Sequence, residues 1–319
     1  MTTLTAPDSS APAPSRNGTA DPGPLHAAHT ANFPALLRQL GASLLVTTYQ
    51  AGKLVVVRDQ GEQLNTHYRS FQSPMGLATA DGGTRLAIGT TLQVWEFRDV
   101  PGVARRLEPA GRHDACFLPR SSHVTGNVLI HEMAYGAGNE LWFVNTRFSC
   151  LATLDAEASF TPRWRPPFVT ELEPSDRCHL NGLGMLDGRP KYVTALGDTN
   201  TPAGWRANKA KGGVLMDVDS GEVVCRGLSM PHSPRWHGGR LWVCESGSGT
   251  LGVVDLRRGE TVALLKFTSG VQEVFAVALL PRRFPDLIND DQQLLESSFV
   301  VPTECLGDVA ATVRASGPV

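Results

Sequence analysis

Four stretches of this chain repeat one plan: a short strand, a tight turn and a second short strand. They read MGLATADGGTRLAIGT (75–90), HEMAYGAGNELWFVNT (131–146), HLNGLGMLDGRPKYVTAL (179–196) and HSPRWHGGRLWVCES (232–246). The turns DGG (81–83), GAGN (136–139), DGR (187–189) and HGG (237–239) fall at the same place in each. Gly, Asp and Asn supply the positive φ angles such hairpins need. Starts at Met75, His131, Asn181, His232 and, more weakly, Gln272 recur every 40 to 56 residues. Strand repeats of that length are the mark of radial β-architectures.

The rest of the chain agrees. SLLVTTY (43–49), KLVVVRD (53–59), TLQVWEF (91–97), GVLMDVD (213–219) and TVALLKF (261–267) are β-prone runs between turn residues, and only Phe33 to Leu40 has a helical look. With no helices alternating with strands, a doubly wound fold is excluded. The expected fold is all-β: a propeller of about five to six four-stranded blades. An open ring exposes edge strands. SLLVTTY and KLVVVRD therefore complete the last blade, so that N- and C-terminal strands lie side by side. The expected organisation is a disordered leader over 1–33, rich in Ala, Pro, Ser and Thr, the propeller over 34–303, and a frayed tail over 304–319.

Composition narrows the partners. With 29 basic and 31 acidic residues the net charge is −2, which gives no electrostatic footprint for nucleic acid or a membrane surface. No run reaches the roughly 18 apolar residues of a membrane span. The start lacks the basic and apolar regions of a secretory signal, so a cytoplasmic location is expected. Cys116, Cys150, Cys178, Cys225, Cys244 and Cys305 contain no C-x-x-C pair and read as small buried hydrophobes in a reducing compartment.

On a blade, the innermost strand starts on the face to which the loop between the second and third strands returns. Strand starts offer His131, His179, Asn181 and His232; the loops offer Asn145, Thr146 and Arg147, then Asp198 and Asn200, then Glu245 and Ser246. Imidazoles from separate blades, far apart in sequence, would converge on one axis. Such a set suits a transition metal (iron, manganese, copper or zinc), held by His131, His179, His232 and Asn181, with Glu245, Asp198 and Arg147 as the catalytic side chains around it. The competing reading is that each histidine merely donates to a neighbouring strand. Glu132 points away from His131 on a strand and is expected to bond between blades. His113 and His123 read as polar residues of a long connection.

The loop GDTNTPAGWRANKAKGG (197–213) is long for a hairpin. Trp205 beside Arg206, Lys209 and Lys211 combines an apolar plate with cationic donors, suited to a carboxylate, a phosphate or a peptide end. Trp205, Arg206, Lys209 and Asn145 are the candidate substrate-binding residues. A solvated loop whose Trp covers a blade edge is the bland alternative.

The stretches HDACFLPRSSHVTGNVLIHEMAYG, LWFVNTRFSCLATLD, CHLNGLGM, GDTNTPAGWRANKAKGGVLMDV, MPHSPRWHGGRLWVCESGSGTL and FTSGVQEVFAVALLPRRFPDLIND resemble a family of bacterial conserved hypothetical proteins. The resemblance runs from about Ala35 to Pro302 and implies a β-propeller without implying a reaction. Relatives carry a further blade where Leu251 here runs into Gly252. NGLGMLDGRPKYV (181–193) is also loosely similar to lactonase-like propellers, which hold calcium on the axis; that similarity implies a calcium role for Asn181, Asp198 and Glu245. Imidazole is a poor calcium ligand, so the histidines favour a transition metal.

The expected function is a metal-dependent enzyme, hydrolase, lyase or oxidative, acting on a small molecule or peptide with an anionic group. The alternative is a non-catalytic scaffold that binds a partner protein or ligand.

Overall fold

The computed structural model describes residues 25, 27–80, 82–237, 239–245, 250–255, 260–271 and 274–301. The chain opens with β1 (Ala27–His29) and α1 (Phe33–Leu40). Pro34 suits the first turn of α1, and Gly41 at φ 61 ends it, its N–H meeting the carbonyls of Leu37 and Arg38. β2 (Ser43–Thr48), β3 (Lys53–Gln60) and β4 (Gln63–Ser70) follow as an antiparallel meander.

The second blade is β5 (Leu77–Ala80), β6 (Arg85–Gly89), β7 (Gln93–Asp99) and, after a single turn α2 (Pro101–Ala104), β8 (Ala115–Val124). His123, expected in a connection, therefore lies on a strand. The third is β9 (Ile130–Tyr135), β10 (Leu141–Asn145), β11 (Cys150–Thr153) and β12 (Thr161–Trp164). The fourth is β13 (Leu180–Leu186), β14 (Arg189–Ala195), β15 (Gly213–Asp217) and β16 (Val223–Leu228). Asp187 (φ 50) and Gly188 (φ 72) make its first hairpin, as the DG pair in the sequence implies. The fifth sheet pairs β17 (Pro231–His237) with β18 (Arg240–Glu245). The sixth joins β19 (Thr250–Asp255), β20 (Glu260–Phe267) and β1.

β21 (Ala276–Leu280) then pairs antiparallel with β2 and becomes the innermost strand of the first blade. The ring thus closes with strands from the two ends of the chain, as expected. β22 (Pro285–Leu287) lies parallel on the outside of β8, and α3 (Gln292–Glu296) follows.

Among the described residues, five pairs of neighbouring sheets pack face to face. Leu54, Val56, Leu86, Ile88 and Phe117 fill the first interface. Val94, Ile130, Met133 and Phe143 fill the second, and Val144, Leu151, Leu180, Val193 and Met216 the third. The sixth sheet packs on the first through Phe33, Leu37, Val55, Val57 and Leu265. Between the fourth and fifth sheets Pro234 sits so close that a Cβ on Gly182 would lie 2.6 Å from its Cδ, and Tyr192 stacks on Trp236. Glu132 is buried and bonds across blades, as expected: it accepts the N–H of Leu183 and pairs with Arg235.

Two further expectations change. Ala27–His29, read with the leader, forms β1, because the edge of β20 offers it a register against Leu265 to Phe267. Cys225 and Cys244 are exposed rather than buried; both are free thiols, as are the buried Cys116, Cys150 and Cys178, whose pKa values burial pushes up to about 12. Residues 1–24 of the leader, Cys305 and the tail 304–319 lie outside the described residues. The Leu251–Gly252 join lies within β19. Among the described residues no helix is long and apolar enough to cross a membrane.

Candidate functional site

Five strand starts at the hub share one backbone device. Ser73 (φ 47), Leu129 (φ 55), His179 (φ 51), Met230 (φ 45) and Gly270 (φ 72) are all left-handed. Each stands two residues before a repeat start: Met75, His131, Asn181, His232 and position 272, the last outside the described residues. At Leu129 and Met230 the kink turns the carbonyl back toward the imidazole two positions on. His131 Nδ1 meets Leu129 O at 3.1 Å, and His232 Nδ1 meets Met230 O at 2.8 Å.

This register corrects one expectation. His131 and His232 are equivalent, but their counterpart on the fourth blade is Asn181. His179 occupies the kink itself, the place of Leu129 and Met230. It still reaches the hub: its ring lies edge-on to that of His131, with centroids 4.8 Å apart.

The hydrogen bonds fix the tautomers. Thr146 gives its hydroxyl hydrogen to Leu180 O, so the 2.7 Å contact between His131 Nδ1 and Thr146 Oγ1 has the imidazole as donor. His179 Nδ1 donates to Asp176 Oδ2 at 2.9 Å. Thr194 donates to Asn181 Oδ1 at 2.7 Å, which leaves the Asn181 amide N–H to donate to His232 Nε2 at 3.2 Å. All three imidazoles therefore carry a proton on Nδ1, which makes Nε2 the lone-pair atom wherever the ring is uncharged. Burial holds the His131 pKa well below its ordinary value, and the neighbouring imidazoles of His179 and His232 push the same way. His232 is lowered too, by burial first and by His179. At neutral pH these two rings are uncharged bases.

Aromatic rings cover the cluster. Phe275 lies against His131, with centroids 5.0 Å apart, and Trp205 against His179 at 4.2 Å. The Trp205 indole N–H donates to the Asp176 oxygen that also receives His179. Arg177 ties this corner together, pairing with Glu171 and Glu173 and donating to Asn200 O.

The other expected residues are placed differently. Asn145 is fully buried and accepts the N–H of Phe148, closing a turn; its Nδ2 is buried without a partner among the described residues. Arg147 Nε is likewise buried and unpartnered. Asp198 is exposed and paired with Arg226 on the outermost strand of its blade, not with an imidazole. Glu245 ends β18 opposite Pro231. Arg206 and Lys209 are exposed, with the Arg206 guanidinium 5.1 Å from the Trp205 ring centre. Among the described residues no three His, Cys, Asp or Glu side chains form a group able to hold a metal ion as placed. Asp176, which sequence reasoning missed, is the carboxylate nearest the imidazoles by hydrogen bonding. Its one sequence signal is the D-x-x-H spacing in SDRCH (175–179).

Fold and hub together define a β-propeller with imidazoles at its centre. The chain belongs to the DUF4915 family, a domain of unknown function, which matches residues 31–257. None of the curated proteins matches it. Solved structures with a similar fold include a catalytically inactive virginiamycin B lyase from Staphylococcus aureus with quinupristin, at 12% identity over 71% of this chain and 69% of that one, TM-score 0.37. A nidogen/laminin complex chain matches at 9% identity over 75% of this chain and 98% of that one, TM-score 0.41. A protein of unknown function from Bacteroides caccae matches at 11% over the same shares, also with TM-score 0.41.

Proposed function

We propose that this chain is an enzyme whose working site is the hub, with His131, His179 and His232 as its reactive set toward a small molecule or peptide. The observation that carries the reading is the shared tautomer. Three imidazoles from separate blades each spend Nδ1 on a fixed acceptor, which leaves Nε2 as the nitrogen that a ligand or metal would meet. Fixing the second nitrogen is how proteins aim a histidine at a ligand or metal.

The donor set suits a transition metal in kind, since neutral imidazole nitrogens are its usual partners. His131 and His179 would hold it, and His232 would join by exchanging its bond from Asn181. A metal so bound supplies Lewis acidity toward a carbonyl, or an activated water. Around it, Trp205 and Phe275 exclude water, and the exposed Arg206 and Lys209 attract an anionic substrate end.

A second reading is a non-catalytic scaffold. It is favoured by the Asn181 amide on His232 Nε2, which satisfies that ring without any ligand. Metal analysis of protein purified without a histidine tag separates the two. Near-stoichiometric transition metal that disappears in a folded His131→Ala/His232→Ala variant supports the enzyme. Metal-free protein, unaltered in stability by chelator, supports the scaffold.

A further inference from the structure

We propose that Asp176 is the positioning residue of the hub: one carboxylate oxygen fixes His179 as its Nδ1–H tautomer and latches Trp205 over the same ring. The inference deepens the enzyme reading and in part rests on it. Asp176 Oδ2 accepts from His179 Nδ1 at 2.9 Å and from Trp205 Nε1 at 3.1 Å. The indole and imidazole centres are 4.2 Å apart with the planes tilted at 38°, so the two donors, the acceptor and the touching rings form one unit. Loosening either donor changes the environment of the other.

The backbone is built around this carboxylate. Asp176 (φ 50) and His179 (φ 51) both adopt the left-handed region, which Asp and His tolerate better than most residues. The Asp176 N–H is held by Arg147 O at 2.9 Å, and the Ser175 carbonyl receives Ala203 N–H from the loop that carries Trp205. The flanking Arg177 guanidinium donates to Asn200 O in that same loop. The segment 175–177 is thereby the seat of the Trp205 loop as well as the support of His179.

Asp176 also has capacity left over. Its Oδ1 is buried with no hydrogen-bond partner among the described residues. An ionised carboxylate oxygen in that state takes an O–H or N–H donor. A ligand that meets His179 Nε2 and places a hydroxyl, amine or bound water on Oδ1 satisfies both atoms.

The test uses the full chain with two variants chosen for the left-handed backbone. Asp176→Gly removes the carboxylate without steric cost at φ 50, and Asp176→Asn keeps an acceptor and tolerates the same φ. The ¹⁵N spectrum of the histidine rings is the first readout, with His179 identified by its loss in His179→Gln. Trp205 emission, identified by its loss in Trp205→Phe, is the second. Binding of Co²⁺, followed by its visible bands, is the third. We expect one Nδ1–H tautomer of His179 in the wild type and in Asp176→Asn. In Asp176→Gly we expect mixed tautomers, changed Trp205 emission and Co²⁺ affinity reduced about 10- to 100-fold. Unchanged His179 tautomer and Trp205 emission in Asp176→Gly, with native circular dichroism, overturn the proposal. If Asp176→Gly does not fold, His179 in a mixed-tautomer state in the wild type or in Asp176→Asn overturns it instead. A wild type that takes up no Co²⁺ sinks the metal reading alone, because the tautomer and emission readouts do not depend on it.

Discussion

Glu132 on β9 and Arg235 on β17 grip the backbone of one residue that lies between them. Glu132 Oε2 accepts the N–H of Leu183, Arg235 Nη1 donates to the Leu183 carbonyl at 3.0 Å, and the two side chains pair with each other. Three successive inner strands are thus clamped by two side chains. The carboxylate is 8% exposed and the guanidinium half-exposed, so the pair is not a fully buried one.

Removing the carboxylate should cost the Leu183 N–H its acceptor and Arg235 its counter-charge. Glu132→Ala is expected to lower stability by about 2–3 kcal/mol, the scale for a buried donor left unmade to a charged acceptor. A double-mutant cycle with Arg235→Ala, read by urea denaturation, should show clear coupling. Additive losses would mean that the two side chains act separately.

Close approach of the fourth and fifth sheets makes Gly182 irreplaceable. A Cβ there would stand 2.1 Å from Thr194 Oγ1 and 2.6 Å from Pro234 Cδ. Gly182→Ala should destabilise by roughly 1–3 kcal/mol as overpacking. It should also disturb the Thr194–Asn181–His232 hydrogen bonds. Gly102→Ala, in the short helix α2 with nothing within 4 Å, should be neutral or slightly stabilising by thermal melting.

Acid should weaken the metal-free protein in two stages. His131 and His232 have folded pKa values below the ordinary 6.5. The unfolded chain therefore binds protons that the folded chain refuses, and stability drops as pH falls through about 6.5. Asp286 behaves as a depressed carboxylate. Burial raises its pKa, but the hydrogen bond and charge of His67, with the charge of Arg69, outweigh that and leave it below 3.8. Its contribution is present above that value and vanishes below it. Urea midpoints from pH 8 to 3 should fall through both windows, and His131→Gln should flatten the first. A midpoint constant between pH 8 and 5 would contradict the buried neutral imidazoles.

The strap that follows ring closure is fastened at Asp286. His67, Arg69 and His113 approach its oxygens at 2.9, 3.4 and 3.7 Å. Arg58 and Arg112 lie over the neighbouring Phe284 ring. Asp286→Ala leaves the Arg69 and Arg58 guanidinium charges without their carboxylate and should cost roughly 3 kcal/mol. Limited proteolysis should then cut within 285–296 before it cuts the blades. Uniform cleavage throughout the chain would show that the strap is not a separate latch.

The ring was legible because its signal repeats. The starts at 75, 131, 181 and 232 in the sequence are the residues that follow the left-handed kinks, and the Asp187–Gly188 pair makes the turn it implies. Glu132 could be assigned between blades from strand alternation alone. The site was less legible, because its decisive residues break the repeat. His179 sits on a kink position where the other blades carry Leu129 and Met230. Asp176 lies in a connection with no period, and nothing local in the sequence says that its carboxylate will meet Trp205, 29 residues on. Asp198 pointed the other way for a similar reason: Arg226 on the outer strand competes for it, and that pairing depends on sheet order rather than spacing.

The pairing of β2 with β21 has a consequence for synthesis. A ribosome delivers β2 more than two hundred residues before its inner partner. Through all that time the inner edge of the first blade has bare N–H and C=O groups, the situation in which strands recruit wrong neighbours. Nascent chains stalled ahead of residue 276 should therefore be the clumping-prone species, and release of the last segment should be what shuts that edge.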